Sequence, residues 1–529
     1  MPFRRIMFKD LFNEQDGDTP ARWQSVSGSF TISNKKAYTN ALIGTAYRAV
    51  APAENSVLTG TIPQGDELYY DVTIRVHSWG ANGEAGFIFM ASASAGTYFG
   101  DSYLVCLETN RLVLYKSASN VRTELSSASA THSVDTDYEL LIHINTSTGD
   151  IDIYENDTQL IDYTDSSPLT SGNYLGLFAS FSQVYWSYIK CRYPNCDNYL
   201  NARIQKCINK DPDTLILKIA KSGSSGAETD LDIGDGIEFV LVKDDGSEHI
   251  EFWGQVIERR TSDDGSIEVM CKDYLYELVK TNIEFDETST IKSLISSIIR
   301  NNCRVLTNGD IKDSGDAARA RKKKGENGLA TIKLLTEEQG YYYDFGPERG
   351  FYTSDSFSAS GFTINTEHHV SYMYLEDTNQ MANKVTVYYN AGSTTAGGSG
   401  GAYETYGKRE SVFVDKGILT LTDAQNKANT IYNRYGSLVI IIDVTLAGDN
   451  NLSLLEPGDT GTYNNDWLDL TSKTFLVLEK EMNLPEGNGV KFRLAVSDSA
   501  PPARPQRDIT DTLENTIDAI NRSLGNQVL

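Results

Sequence analysis

Alternating apolar and polar residues fill short runs between Phe8 and Arg192. Examples are YYDVTIRVH (69–77) and ELLIHINTSTGDIDIYENDTQLIDYTD (139–165), with Gly, Asn, Asp and Ser clusters between the runs. A period of two is typical of strands that bury one face, and such clusters form the turns between strands. Because no helical period of useful length interrupts this stretch, we predict two packed antiparallel sheets in a jelly roll.

A second strand pattern occurs twice, first in 231–273 and again in 455–498. Each copy opens with a Gly-Asp turn and closes with a Gly-led hairpin into a last strand. This repetition predicts two similar β-barrels that serve as scaffolds. The spacing between the two turn glycines is the same in both copies, Gly234 to Gly265 and Gly458 to Gly489.

Helical spacing of apolar residues appears between the two copies. In 286–300 one face carries Ile291, Leu294, Ile295, Ile298 and Ile299. Further helices are predicted over 328–339, which runs into the strand YYYDFG, and over 423–435. Pro194 to Ala202 and the Gly/Ser-rich run 391–402 are predicted to be a linker and a loop. The segment between the barrels is therefore mixed α and β.

The end of the chain combines a tether with an amphipathic stripe. SAPPARPQ (499–506) can be neither a helix nor a central strand, because Pro lacks the amide donor and restricts its neighbour. A helix as short as the one after it is marginal alone, so we expect its near-heptad stripe to associate with other copies. The stripe consists of Ile509, Leu513, Ile517, Ile520 and Leu524.

These patterns predict a mainly β protein in five parts, within the range expected for 529 residues. The parts are a jelly-roll sandwich (1–195), a first β-barrel (196–284), an α+β domain (285–378), a second β-barrel (379–498), and a Pro-rich tether with a short C-terminal helix (499–529).

The net charge of the chain argues against nucleic-acid binding as its function. The net charge is −25, so we expect no specific nucleic-acid binding, since neutralising phosphates needs clustered cations. The basic run RARKKK (319–324) is the exception, and we expect a solvated loop there; an acidic partner or passing DNA is the alternative. No apolar run has the length of a signal peptide core or a membrane span, so we expect synthesis and assembly in a cytoplasm.

Cysteine and histidine patterns give no metal site. The six cysteines lie far apart or within predicted strands, so buried free thiols are expected; a disulfide or metal among Cys191, Cys196 and Cys207 is the less favoured alternative. His368 and His369 lack carboxylates at zinc-protease spacing, and no HExxH, GxSxG or phosphate-cradling motif occurs. We predict no cofactor, no metal ligand and no catalytic residue.

Sugar binding is the chemistry that the first domain favours. Neutral glycans are held by aromatic faces together with Asn, Asp and Gly groups in loops. The loops 77–86 and 94–103 offer Trp79, Asn82, Tyr98 and Asp101, although ordinary turn residues with a half-buried Trp are an equal alternative. A structural calcium bound by Asp and backbone carbonyls stays open. The acidic alternation of Asp150, Asp152 and Glu155 offers a glycoside hydrolase as a further alternative.

The first domain resembles concanavalin-like lectin domains of the laminin-G type. The shared features are FKDLF (8–12), Trp23, GSFTI (28–32), the consecutive hairpins quoted above and GNYLGLFAS (172–180). Residues after Asn40 depart from that pattern. The resemblance covers about a third of the chain and implies a carbohydrate-binding fold.

The remainder resembles the hub proteins of phage tails and related contractile injection machines. The order of DETSTIKSLI (286–295), GLATIKLLTEEQGYYYDF (328–345), NKVTV (383–387) and LEPGD (455–459) carries this resemblance, over roughly 200–498. It implies a homotrimer at the virion tail tip whose two barrels per subunit form a pseudo-sixfold ring. The implied partners are the hexameric tail tube or distal tail protein and the tape-measure protein.

Two function classes follow from the sequence. The first is a non-enzymatic, structural tail or baseplate hub whose lectin-like domain contacts host-surface glycan, or acts only as an architectural brace. The second is a free carbohydrate-binding protein or glycoside hydrolase built on a concanavalin-like fold.

Overall fold

The computed structural model describes most of the chain between residues 3 and 497. The described residues are 3–10, 12, 23–27, 30–33, 36–40, 46–52, 67–93, 98–170, 172, 174–194, 196, 199–208, 211–219, 231–242, 247–263, 265–303, 305–306, 308–313, 315, 318–339, 341–346, 350–354, 356–377, 381–399, 403–404, 407–414, 420–436, 439–446, 452–484 and 489–497. The stripe Ile509, Leu513, Ile517, Ile520 and Leu524, predicted to be a trimer helix, lies outside them.

The first part of the chain consists of antiparallel strands. Strands β1 to β13 are Phe3–Asp10, Gln24–Ser27, Thr31–Ser33, Lys36–Asn40, Ala46–Pro52, Glu67–Ala91, Ser102–Glu108, Arg111–Ala118, Val121–Ser129, Asp137–Asn145, Asp150–Glu155, Thr158–Thr164 and Tyr174–Arg192.

Two long strands organise this sandwich. β6 and β13 pair with each other along most of their lengths. The first part of β6 also pairs with β10, which continues into β11 and β12, whereas its last part pairs with β7, followed by β8 and β9. Each long strand therefore passes from one sheet into the other. Alternate residues of both sheets fill one core that includes Trp186, Tyr70 and Phe87.

The middle of the chain mixes strands with three helices. Strands β14 to β18 are Tyr199–Cys207, Thr214–Ile219, Gly236–Val242, Glu248–Thr261 and Ile267–Asp273. Then follow α1 (Leu275–Lys280), β19 (Asn282–Ser289), α2 (Ile291–Asn302), β20 (Asn308–Ile311), β21 (Arg319–Asn327), α3 (Gly328–Gln339), β22 (Tyr342–Gly346), β23 (Gly350–Ser354) and β24 (Ser358–Ile364).

The last described part returns to strands. The strands are β25 (His369–Asp377), β26 (Lys384–Tyr389), β27 (Gly392–Gly397), β28 (Glu410–Val414), β29 (Val439–Leu446), β30 (Asp459–Asn465), β31 (Leu470–Leu484) and β32 (Val490–Ser497). The helix α4 (Leu421–Tyr435) lies between β28 and β29. The prediction of a mainly β protein is confirmed. Among the described residues, no helix has the length and apolar character needed to cross a membrane.

The repeat predicted from the sequence has the same strand order in both copies. In the first, β14 pairs with β15, then β18, β17 and β16 follow across the sheet. In the second, β25 pairs with β29, then β32, β31 and β30 follow. We call these two five-stranded sheets repeat 1 and repeat 2.

The Gly-Asp turns are also alike. Gly234 and Gly458 have φ angles of 97° and 95°, a region that a side chain disfavours. The Gly234 amide donates to the Val256 carbonyl (2.8 Å), and the Gly458 amide donates to the Val477 carbonyl (2.9 Å). In each turn the Asp carboxylate then accepts the amide three residues earlier, at 2.9 Å.

The two closed barrels predicted from the repeat are not confirmed. The strands of both repeats instead contribute to one core, in which Phe239 and Val269 of repeat 1 lie with Phe475 and Leu494 of repeat 2. The two sheets share one core because β14 pairs with β15 on one edge and with β31 on the other. The two sheets are thereby continuous.

Local predictions were right where a cap or a periodic face defines the element. The helix predicted over 286–300 begins only at Ile291, because Thr290 caps it by accepting the Ser293 amide and the preceding residues form β19. The helix over 328–339 is confirmed. The linker 194–202 is shorter than predicted, since β14 begins at Tyr199.

The basic run RARKKK is part of a strand, not a loop. It lies in β21, which pairs with the acidic strand β19 from Asn282 to Ser289. The register places Glu284, Asp286 and Glu287 of β19 opposite Lys324, Lys322 and Arg321, a long-range pairing that the basic run alone did not show.

The first strand connects the sandwich to repeat 1. Phe3 to Ile6 pair with β16, whereas Ile6 to Asp10 pair with β13. Glu238 on β16 is fully buried between the ammonium groups of Lys9 (2.9 Å) and Lys190 (3.4 Å). Burial alone would raise the pKa of Glu238, but Lys190 and Lys9 lower it to about 2. The sandwich and repeat 1 therefore share a strand and a buried ion cluster.

We predict that Glu238→Gln destabilises the chain, because it removes the buried negative charge that both ammonium groups contact. The expected loss is about 3–5 kcal/mol in the free energy of unfolding at pH 7, measured by urea denaturation. The pKa of Glu238 is lowered on folding, so its stabilisation is present above the unfolded pKa and is lost as the pH falls towards 2. Glu258→Gln, at a partly exposed position, serves as the control, and equal losses for both variants would contradict the prediction.

Candidate functional site

The outward face of the sheet β6–β7–β8–β9 combines charged and aromatic side chains. Ile88, Leu104, Cys106 and Val113 form a small apolar cluster on this face, separate from the sandwich core. Tyr98 and the ring of Tyr115 lie at its border. We call this surface the β9 face.

Arg122 lies across the centre of the β9 face. Its guanidinium stacks on Tyr115 (4.4 Å to the ring centre) and on Tyr98 (5.5 Å). The same guanidinium donates to both carboxylate oxygens of Glu84, one of them at 3.0 Å. This arrangement fixes a planar donor between two aromatic rings, and it connects the Tyr98 end of the face with Glu84.

A second charged group continues the face beside Tyr115. Glu108 accepts the Tyr115 hydroxyl at 2.9 Å and the Arg111 Nε at 2.8 Å. Arg111 also donates to Glu124 at 2.9 Å. Carboxylates, guanidinium groups and tyrosine rings thus alternate on one sheet surface, which offers the hydrogen-bonding and stacking groups that sugars require.

The four predicted sugar-binding residues do not form one cluster of contacts. Tyr98 borders the β9 face, packs against Phe178 (5.9 Å between ring centres) and donates its backbone amide to Asn120. Asp101 is exposed next to it and accepts the Ser119 amide at 2.7 Å. Both therefore lie in the loop that covers the apolar cluster.

Trp79 and Asn82 lie in the middle of β6. Trp79 is half-buried, packs against the sandwich core and donates its indole N–H to the His132 carbonyl at 3.2 Å. Asn82 is exposed and has a φ of 55°, a conformation that Asn adopts in turns. Trp79 is therefore held by the core and by this hydrogen bond.

Sequence reasoning missed Arg122, Glu84 and Glu108. They come from three strands, and the run around Arg122 gives no local motif. The period of two could have placed Arg122 and Glu124 on one face of β9, but not beside Glu84 of β6.

The acidic side chains Asp150 and Asp152 of β11 are hydrogen-bonded to neighbouring residues. Asp150 accepts the hydroxyls of Thr148 and Thr164, and these hydrogen bonds lower its pKa. Asp152 contacts His143 (3.1 Å) and accepts the Gln159 amide (2.8 Å). The two carboxylates lie side by side on one strand, whereas a glycosidase holds its pair across the sugar.

A second candidate is the ion cluster where the two repeats meet. Lys480 on β31 is buried and contacts Glu251 (2.7 Å) and Glu456 (2.8 Å). Lys206 on β14 pairs with Glu456 as well. His249 reaches the same two carboxylates at 3.5–3.7 Å.

This ion cluster is a poor candidate for a metal site. Ligand atoms of His249, Glu251 and Glu456 lie within 4.8 Å of one another. Lys206 and Lys480, however, already place two ammonium groups on the carboxylates, and a divalent cation there would meet their repulsion. The chemistry of the cluster is that of a buried ion network that joins strands.

Three buried acids lie beside the network. Burial raises the pKa of Asp213 to about 7 despite the nearby Lys206. Burial and the negative charge of Asp213 raise the pKa of Asp273 and of Asp344 well above the usual range. Asp213 and Asp273 are also joined directly, since the Asp213 amide donates to the Asp273 carboxylate at 2.9 Å.

We predict that the chain loses stability as the pH rises from 5 to 8, because these folded-state pKa values exceed the unfolded value of 3.8. Stability from such a group is fully present below the unfolded pKa and declines up to the folded pKa, by at most about 1.4 kcal/mol per pH unit for each group. Asp344→Asn should reduce this decline, measured as the urea midpoint at each pH. The exposed Asp263→Asn is the control, and an unchanged slope in Asp344→Asn would refute the account.

Comparison with known proteins shows partial structural likeness. No protein-family model matches the chain, and no curated protein matches it in sequence. The 43 kDa tail protein of prophage MuSo2 from Shewanella oneidensis is similar over 58% of this chain and 96% of its own, with 12% identity and a TM-score of 0.44. A tail protein from Neisseria meningitidis MC58 is similar over 58% and 97%, with 14% identity and a TM-score of 0.45.

A different protein is similar over a smaller share of the chain. The carbohydrate binding module CBM66 from Bacillus subtilis is similar over 34% of this chain and 98% of its own, with 14% identity and a TM-score of 0.27. The chain is thus similar to tail proteins over somewhat more than half of its length and to a carbohydrate-binding module over about a third.

Proposed function

We propose that this chain is a structural protein of a phage tail, a trimeric hub that joins the hexameric tail tube to the tail tip. The observation that carries the proposal is the duplicated five-stranded sheet. Both copies have the same strand order and the same Gly-Asp turn. Three chains with two such units each supply six similar units, which matches a six-subunit tube.

The order of segments supports the same proposal. The barrel-like repeats flank an α+β segment, as the resemblance to tail hubs implies. The neighbours implied by the hub role are the tail tube or distal tail protein and the tape-measure protein, and the location is the virion tail tip after assembly in the host cytoplasm. The hub is proposed to be a scaffold and not an enzyme.

For the sandwich we propose contact with a host-surface glycan through the β9 face. Arg122 stacked between Tyr98 and Tyr115 provides an aromatic platform with a fixed hydrogen-bond donor. Its charge is balanced by Glu84, so the face suits a neutral sugar better than a strongly anionic one. The shared strand β1 would transmit the attachment to the hub.

The trimer is tested by native mass spectrometry of the purified full chain at micromolar concentration. We expect a mass of three times 58.5 kDa and a threefold ring in negative-stain images. A monomer or a dimer over the whole concentration range would reject the hub proposal.

The glycan site is tested by glycan-array screening followed by calorimetry on the best ligand. We expect Tyr98→Ala and Arg122→Ala each to lower the affinity at least about tenfold, the loss of one stacking or charged contact. Thr123→Ala is the matched control, since Thr123 is exposed on the same strand and points to the opposite face. Binding that survives both substitutions would show that the glycan does not bind to the β9 face, whereas no binding by the wild type would leave the sandwich as an architectural brace.

A further inference from the structure

The junction between the two repeats shows how a strand of repeat 1 joins the sheet of repeat 2. β30 pairs with β31 up to Leu476, and the Gly458 amide then donates to the Val477 carbonyl. From Glu479 to Leu484 the same edge of β31 is taken over by β14 of repeat 1. The junction between the repeats is therefore a strand added to the end of a partly covered edge.

Repeat 1 has the same partly covered edge without a successor. β16 pairs with β17 up to Gln255, and the Gly234 amide donates to the Val256 carbonyl. Glu258 to Thr261 then pair with β18 on one side. Within the described part of the chain, no strand continues along their other side.

β25 is the strand of repeat 2 that corresponds to β14. Both are the outermost strand in the shared order, and both carry a bulge at the same place, between Tyr199 and Asn201 and between His369 and Ser371. Among the described strands, β25 pairs with β29 alone. Its Met373 and Leu375 side chains are 59% and 44% exposed, which is unusual for large apolar residues on an edge strand.

We infer that β25 of one copy pairs in antiparallel fashion with the Glu258–Thr261 edge of β17 in a second copy, repeating the β14–β31 junction between chains. Such a head-to-tail contact closes into a ring when the rotation per copy permits it. This inference rests on the proposed trimeric hub and specifies its interface.

The register follows from the internal junction. The bulges of β17 after Val256 and of β31 after Val477 fall at equivalent positions, so Glu258 corresponds to Glu479. Within the chain, Gln205 lies opposite Glu481 and Cys207 opposite Glu479. Transferred to β25 and β17, this places Leu375 opposite Arg260 of the second copy.

Charge complementarity supports the same register. Glu456 pairs with Lys480 (2.8 Å) in repeat 2, and Asp232 pairs with Arg259 (2.6 Å) at the equivalent place in repeat 1. In the internal junction β14 adds Lys206 to the carboxylate Glu456. β25 has Glu376 at the register position of Lys206, which lies opposite Arg259 of the second copy.

The test is a disulfide between copies in a Cys207→Ser background. We combine Leu375→Cys with Arg260→Cys in the full chain, oxidise mildly, and run a non-reducing gel beside native mass spectrometry. Residues directly opposite each other bring the two Cα atoms within disulfide range, so covalent trimers should dominate. Leu375→Cys with Glu258→Cys, two residues out of register, is the matched control and should give at least about tenfold less crosslinked product, since diagonal pairs lie farther apart.

Each outcome decides between the two proposals. Trimers that crosslink through 375 and 260 support both. Trimers by native mass that fail to crosslink, or that crosslink equally well through 375 and 258, overturn this interface and leave the hub standing. A monomer by native mass overturns both.

Discussion

The pairing of β14 with β31 is the constraint on which the architecture depends. It joins two five-stranded sheets that would otherwise each end at an open edge, and it merges their apolar faces into one core. Lys206 crosses this junction to Glu456, and Lys480 is buried beside both Glu456 and Glu251. Buried charges are costly unless every partner is present, so the network favours one register of the two strands over its neighbours.

The sandwich extends this continuity towards the amino-terminal side. β1 belongs to two sheets, and the Glu238 carboxylate between Lys9 and Lys190 keeps it in place. A domain attached in this way differs from one on a flexible linker, because a load on the sandwich passes into repeat 1 through ladder hydrogen bonds. That property suits the glycan attachment that we propose for the sandwich.

Sequence alone predicted the elements with strong local signals. The two Gly-Asp turns identified the repeat, although the equal spacing of their glycines hides a difference: the carbonyl that accepts the turn amide lies 22 residues after Gly234 but 19 after Gly458. A longer hairpin in repeat 2 compensates. What the sequence could not predict was the sharing of β14, because strand pairing between distant segments leaves no local pattern, and two closed barrels were expected instead. The sequence could not predict the β9 face for the same reason, since Arg122 and Glu84 meet only in the folded sheet.

The central claim is that copies of this chain continue one sheet pattern around a ring. Cryo-electron microscopy of the purified full chain, reconstructed without imposed symmetry, tests it most directly. The account predicts three copies, six similar five-stranded units, and β25 of each copy paired with β17 of the next. A single copy, or three copies that meet through other surfaces while both edges stay open, would contradict it.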